Sequence, residues 1–104
     1  MLNQFMLVGR LEEKEEIKGE NNKKIAKITI AVPRSYKNDD GIYDTDFIKI
    51  YLYNGVAEQT LEYINKGDVM GVKGRIEYNN NEIELMAEKV SFISKKNTGG
   101  EKWI

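Results

Sequence analysis

Between Asp44 and Tyr53 the chain alternates with a period of two. Ile48, Ile50 and Leu52 fall on one side; Phe47, Lys49, Tyr51 and Tyr53 fall on the other. This alternation predicts a strand whose aliphatic face joins a core. The opposite face carries aromatic rings around a cation. Such rings stack on nucleobases, and a lysine among them meets phosphate. The same face also suits cross-strand aromatic pairing or cover by another subunit. Both readings stand at this point.

The remaining pattern predicts four further strands and one helix. Phe5 to Leu11 reads as a first strand, with Gly9 as a bend. Glu12 to Glu16 is a charged continuation, and Gly19 to Asn22 is a turn. In Ile25 to Val32, Ala26, Ile28, Ile30 and Val32 share one face, and Pro33 is expected to end the ladder. A polar loop from Arg34 to Tyr43 turns at Asp40-Gly41. Ala57, Leu61 and Ile64 have helical spacing within Gly55 to Asn65, with Gly67 as the expected C-terminal cap. Met70, Val72, Gly74 and Ile76 form the inner face of a fourth strand, and Lys73 and Arg75 lie on its outer face. Tyr78 to Asn81 is a hairpin turn. In the last strand, Glu82 to Ile93, the parity of Ile83, Leu85 and Ala87 differs from that of Val90 and Phe92. A bulge near Glu88-Lys89 would bring all of them inward.

Strand, strand, strand, short helix, strand, strand is the order of an all-β, five-stranded OB-fold barrel, with its helix between strands 3 and 4. Gly9, Gly71 and Gly74 are the expected bends. An α+β sandwich is the competing architecture. Residues 1–93 are expected to form the barrel domain and residues 94–104 a flexible tail.

Composition narrows the chemistry. With 104 residues the chain is expected to be one domain. It has no cysteine, hence neither disulfides nor thiolate metal sites. It has no histidine, which removes the commonest general base and metal ligand. An enzyme is therefore the least favoured class, and no cofactor is implied. Asn38-Asp39-Asp40-Gly41 fails as a calcium loop, because Tyr36 and Phe47 would occupy its first and twelfth positions. There is no phosphate-binding glycine loop of the Gly-x-x-x-x-Gly-Lys type. The chain shows no signal-peptide pattern and no apolar run of membrane-spanning length, so a cytoplasmic protein is expected. Net charge is −1, so any polyanion site needs its cations sorted onto one face. Glu12, Glu13, Glu15, Glu16 and Glu20 are expected to lie elsewhere, near one turn.

The candidate cations are Arg34, Lys37, Lys49, Lys73 and Arg75, and the candidate rings begin with Tyr36, Phe47, Tyr51 and Tyr53. Each alone reads as ordinary surface. Their joint occurrence on outward positions favours a single-strand binding face.

Ordered stretches of this chain resemble the bacterial and phage single-stranded DNA-binding proteins. They are Asn3 to Leu11, Ile28 to Tyr36, Gly41 to Ile48, Ala57-Glu58, Tyr63 to Gly67, Val72 to Ile76 and Ala87 to Ile93. The resemblance implies an OB-fold that binds single-stranded DNA with little sequence preference. It further implies a homotetramer that serves replication, recombination and repair; a dimer is the alternative assembly. Residue by residue, it implies base stacking on Tyr36, Phe47 and Tyr53, with Tyr78 as the nearest match to a further ring.

Two departures bear on these expectations. The hairpin at Asn79-Asn80-Asn81 is short, which predicts a smaller footprint and puts family-like tetramer contacts there in doubt. The final Gly-Gly-Glu-Lys-Trp-Ile lacks the family's acidic tip, so recruitment of repair proteins is expected to be lost or rerouted; Trp103-Ile104 reads as a disordered end, with a reduced hydrophobic hook as the alternative. A protein–protein adaptor on the same fold, such as a primosome accessory factor, is the alternative function. An RNA-binding OB module is a third; nothing in the sequence reads a 2′-hydroxyl, so only competition between dT and U oligomers separates it.

Overall fold

The computed structural model describes residues 1–96. Its strands are β1 (Phe5–Lys18), β2 (Lys24–Lys37), β3 (Tyr43–Tyr53), β4 (Val69–Asn79) and β5 (Glu82–Ser94), and its one α-helix is α1 (Asn54–Tyr63) between β3 and β4. They close into a barrel in the order β1-β2-β3-β5-β4. Every contact around the barrel is antiparallel except β3 with β5. That parallel pair puts the β2–β3 and β4–β5 hairpin turns at the same end of the molecule.

The inward residues are those with the apolar parity. Leu11, Ala26, Ile28, Ile30, Ile50, Leu52, Met70 and Val72 are buried, and Ala57 and Ile64 close one end of the barrel from the helix and its exit. Removing so contiguous an aliphatic set from water is what holds the closed sheet together.

Two glycines permit the closure. β1 pairs with β4 up to Arg10 and with β2 from Arg10 onward. At Gly9, just before this change of partner, a Cβ would stand 2.5 Å from the Ala31 carbonyl oxygen. At Gly74 a Cβ would collide with the Met86 carbonyl oxygen. Gly71 is different, since a Cβ there would meet nothing nearer than Ile93 Cδ1 at 3.6 Å. The β4–β5 register shifts beside Gly74: Lys73 pairs with Lys89 and Gly74 with Ala87, so Glu88 bulges out. The bulge expected at Glu88-Lys89 is therefore present, and Leu85, Ala87 and Val90 pack on the core.

Several boundaries differ from the sequence reading. β1 continues through the glutamates to Lys18 because it pairs with β2 residue for residue beyond Glu13. Lys14 lies within that stretch and its ammonium donates to the Leu61 and Ile64 carbonyls at 2.7 and 2.8 Å, capping the helix exit. β2 does not stop at Pro33. Its pairing with β1 has ended by Ala31, so Pro33 lies on a free edge where a missing N–H costs nothing. The helix ends at Tyr63, and Gly67, at φ 94°, serves the turn into β4 instead of capping the helix. There the buried Asp68 carboxylate accepts from the Asn65 and Lys96 backbone N–H groups, each at 2.8 Å. A second register shift between Val69 and Met70 leaves Phe92 half exposed, and Ile83 stands exposed on the hairpin beyond the barrel, so neither is core.

Candidate nucleic-acid interface

β3 presents the outward row that its alternation predicts. Phe47 is 62% exposed and Tyr53 38%, Lys49 is exposed, and Tyr51 is half-buried between its neighbours. Beneath them Ile50 and Leu52 are fully buried. The rings are held on a rigid wall, because the aliphatic parity of the same strand anchors it.

The register across the sheet shows what surrounds each ring. Tyr51 pairs with Lys27 on β2 and Met86 on β5, and Met86 pairs with Arg75 on β4. Lys27, Tyr51, Met86 and Arg75 thus form one outward row across four strands. The Lys27 ammonium lies over the Tyr51 ring, 5.8 Å from its centre. Lys49 pairs with Thr29, and Phe47 with Ala31. The small partners on β2 leave Phe47 standing proud of the sheet. Burial pushes the Tyr53 phenol above its usual pKa, and the carboxylates of Glu84 and Glu77 add to the shift.

The acidic residues are nearer than expected. Glu13 pairs with Thr29 and Glu15 with Lys27, so both border the aromatic face along β1. The β1 edge of the face is therefore acidic, with Glu15 directly beside Lys27.

On the β2–β3 hairpin, Arg34, Ser35 and Tyr36 occupy an irregular stretch between the pairs Pro33–Thr45 and Lys37–Tyr43. Tyr36 is exposed. Arg34 is engaged by acids: Nη2 donates to Asp46 Oδ1 at 2.9 Å, Nε donates to Oδ2 at 3.1 Å, and Asp44 Oδ2 lies 3.7 Å from Nη1. The hydrogen bond from Arg34 holds the Asp46 carboxyl below its ordinary pKa.

The sequence-derived candidates therefore fall into three groups. Phe47, Lys49, Tyr51, Tyr53 and Arg75 share one face, and Arg75 has Glu77 3.6 Å away. Arg34, Tyr36 and Lys37 stand on the hairpin at one end of that face. Lys73 and Tyr78 stand apart. Lys73 shares the outward parity of Arg75 but lies two residues from it along β4, between Met6 on β1 and Lys89 on β5 and outside the row that pairs with β3. Tyr78 has the inward parity, opposite to Glu77, and its hydroxyl donates to Asn81 Oδ1 at 3.4 Å. Two outward residues were passed over: Lys27, whose parity was visible but whose ring partner needs the β2–β3 register, and Tyr43, which reads as loop once Pro33 is taken to end β2. Trp103 and Ile104 lie outside the described residues.

Among the described residues no three His, Cys, Asp or Glu side chains group as metal ligands, and no helix is long and apolar enough to cross a membrane.

Known proteins agree with this architecture. The SSB domain of a Synechococcus protein superposes with TM-score 0.69 at 17% identity, covering 88% of this chain and 96% of that one. A deletion mutant of the single-stranded DNA binding protein from Thermus aquaticus gives TM-score 0.70 at 19% identity, over 89% of this chain and 51% of that one. In sequence, the chain is 34% identical to the single-stranded DNA-binding protein of Bacillus cereus over 98% of its own length and 66% of that protein's. It is 36% identical to single-stranded DNA-binding protein A of Bacillus subtilis over 96% of its length and 64% of that protein's. It thus spans somewhat under two thirds of these relatives. Against single-stranded DNA-binding protein B of Bacillus subtilis it is 37% identical, and 94% of that protein is covered. The profile of the single-strand binding protein family matches residues 2–93. The chain belongs to the single-strand binding protein family.

Proposed function

We propose that this protein binds and coats single-stranded DNA along the outer face of β3, without strong sequence preference, in replication, recombination and repair. The observation that carries the reading is the outward set Phe47, Lys49, Tyr51 and Tyr53, flanked by Lys27 and Arg75 and backed by a buried aliphatic row. Bases stack on Phe47, Tyr53 and Tyr51, with Tyr36 at the hairpin end. Phosphates meet Lys27, Lys37, Lys49 and Arg75. Lys73 joins where the strand runs on past Arg75 along β4, and Tyr78 only where it reaches the β4–β5 hairpin. Arg34 contributes a contact only once its carboxylates let go. Stacking is indifferent to base identity because every base has a π-face.

The proposed assembly is a homo-oligomer, a tetramer or a dimer. Exposed Met6, Val8 and Ile93 around Gly71 support it, since they gather apolar surface on the flank away from β3. The adaptor reading draws on the net charge of −1 and on the commitment of Arg34 to two carboxylates. Titrating poly-dT and duplex DNA at two salt concentrations separates the two. Tight, salt-sensitive binding of poly-dT alone supports the proposal, and binding of neither polymer supports the adaptor. Competition between dT and U oligomers separates DNA from RNA.

A further inference from the structure

We propose that Tyr43, capped by Lys37, is an additional stacking position for a nucleobase on the β2–β3 hairpin. The proposal deepens the single-strand reading of the β3 face and rests on it.

Tyr43 has the parity of Phe47, Lys49, Tyr51 and Tyr53, so it continues the outward row past the end of the barrel wall. Tyr43 is 53% exposed. Tyr43, Phe47 and Tyr51 follow one another every four residues, a step of about 13 Å along a strand. Two of these rings are built alike. Tyr51 pairs across the ladder with Lys27 and Tyr43 with Lys37, and the ammonium lies over the ring in each pair, at 5.8 and 5.7 Å. Each unit thus joins a ring for a base to a cation for the adjoining phosphate. When a base takes the ring face, the ammonium moves to the phosphate beside it, so no charge is left without a counterion.

The turn holds Tyr43 in place before any ligand arrives. Asn38 Oδ1 accepts from the Asp40 and Ile42 backbone N–H groups at 2.9 and 3.0 Å, and Asn38 Nδ2 donates to Asp44 Oδ1 at 3.1 Å. The Asn38 backbone N–H donates to the Ile42 carbonyl at 2.8 Å. A ring on so fixed a turn loses little freedom when a base stacks on it.

The test measures affinity for dT oligomers of increasing length with the full chain and its Tyr43→Ala, Tyr43→Phe, Tyr43→Leu and Phe47→Ala variants. Tyr43→Ala and Tyr43→Leu are expected to weaken binding of long oligomers by roughly 5- to 100-fold. Both should bind oligomers short enough to span only Phe47 to Tyr53 as the wild type does. Tyr43→Phe should match the wild type at every length. Wild-type affinity of Tyr43→Ala at all lengths, with Phe47→Ala weakened, would overturn the proposal and leave the face reading intact. If Phe47→Ala is also unaffected, the face reading fails and takes this proposal with it. Should Tyr43→Ala unfold, photocrosslinking wild-type chain to bromodeoxyuridine oligomers decides. Adducts on Tyr43 support the site; adducts on Phe47 but not Tyr43 overturn it.

Discussion

Arg34 grips Asp46 through two nitrogens, Nη2 to Oδ1 at 2.9 Å and Nε to Oδ2 at 3.1 Å, at the end of the proposed binding face. The Asp44 carboxylate stands on the other side of the same guanidinium. A cation so held is neutralised before a phosphate arrives. Asp46→Asn should release it, tighten binding of poly-dT and steepen the log–log salt slope by up to about 0.7 per subunit. An unchanged slope in both Asp46→Asn and the Asp44→Asn, Asp46→Asn double variant would mean that Arg34 never meets phosphate. The pH dependence has a definite sign. The Asp46 pKa is depressed in the folded chain, so the clamp is fully present above the unfolded carboxyl pKa and is lost as pH falls through the lower folded value. Both groups are exposed, so the effect belongs to binding more than to stability. NMR titration should find the Asp46 carboxyl below the ordinary range and returned to it in Arg34→Ala.

Gly74 tests the barrel closure. A Cβ there would collide with the Met86 carbonyl oxygen, a backbone atom that cannot swing away. Gly74→Ala should destabilise the fold by roughly 1–3 kcal/mol in chemical denaturation. Gly71→Ala, which meets only ordinary contacts, should cost much less. Equal effects would contradict the assignment of Gly74 as the point where β4 must approach β5.

The salt dependence of the wild type counts its phosphates. Three to five contacts per subunit, drawn from Lys27, Lys37, Lys49, Arg75 and Lys73, predict a slope of roughly −2 to −3.5 per subunit for a single strand. A slope near zero would remove phosphate from the account.

These residues also show what the sequence could convey. The inner and outer faces of β3 were legible because the strand alternates strictly, and the Glu88 bulge was legible because two apolar parities meet there. Pro33 misled because its tolerance depends on whether β1 still covers that edge, and only the tertiary register decides this. The acidic β1 extension was hidden because charged residues carry no apolar period, although the pairing with β2 holds them in a strand. Lys27 and Tyr43 were missed for one reason. A cation over a ring is a relationship across two strands, invisible until the register is known.

Phe47 carries the central claim most directly, because its ring is exposed while its strand neighbour Ile48 packs against the core. The measurement is the affinity of Phe47→Ala for oligo-dT alongside its thermal midpoint. The account predicts binding weakened by about 1–3 kcal/mol with the midpoint unchanged. Wild-type affinity, or loss of the fold, would contradict it.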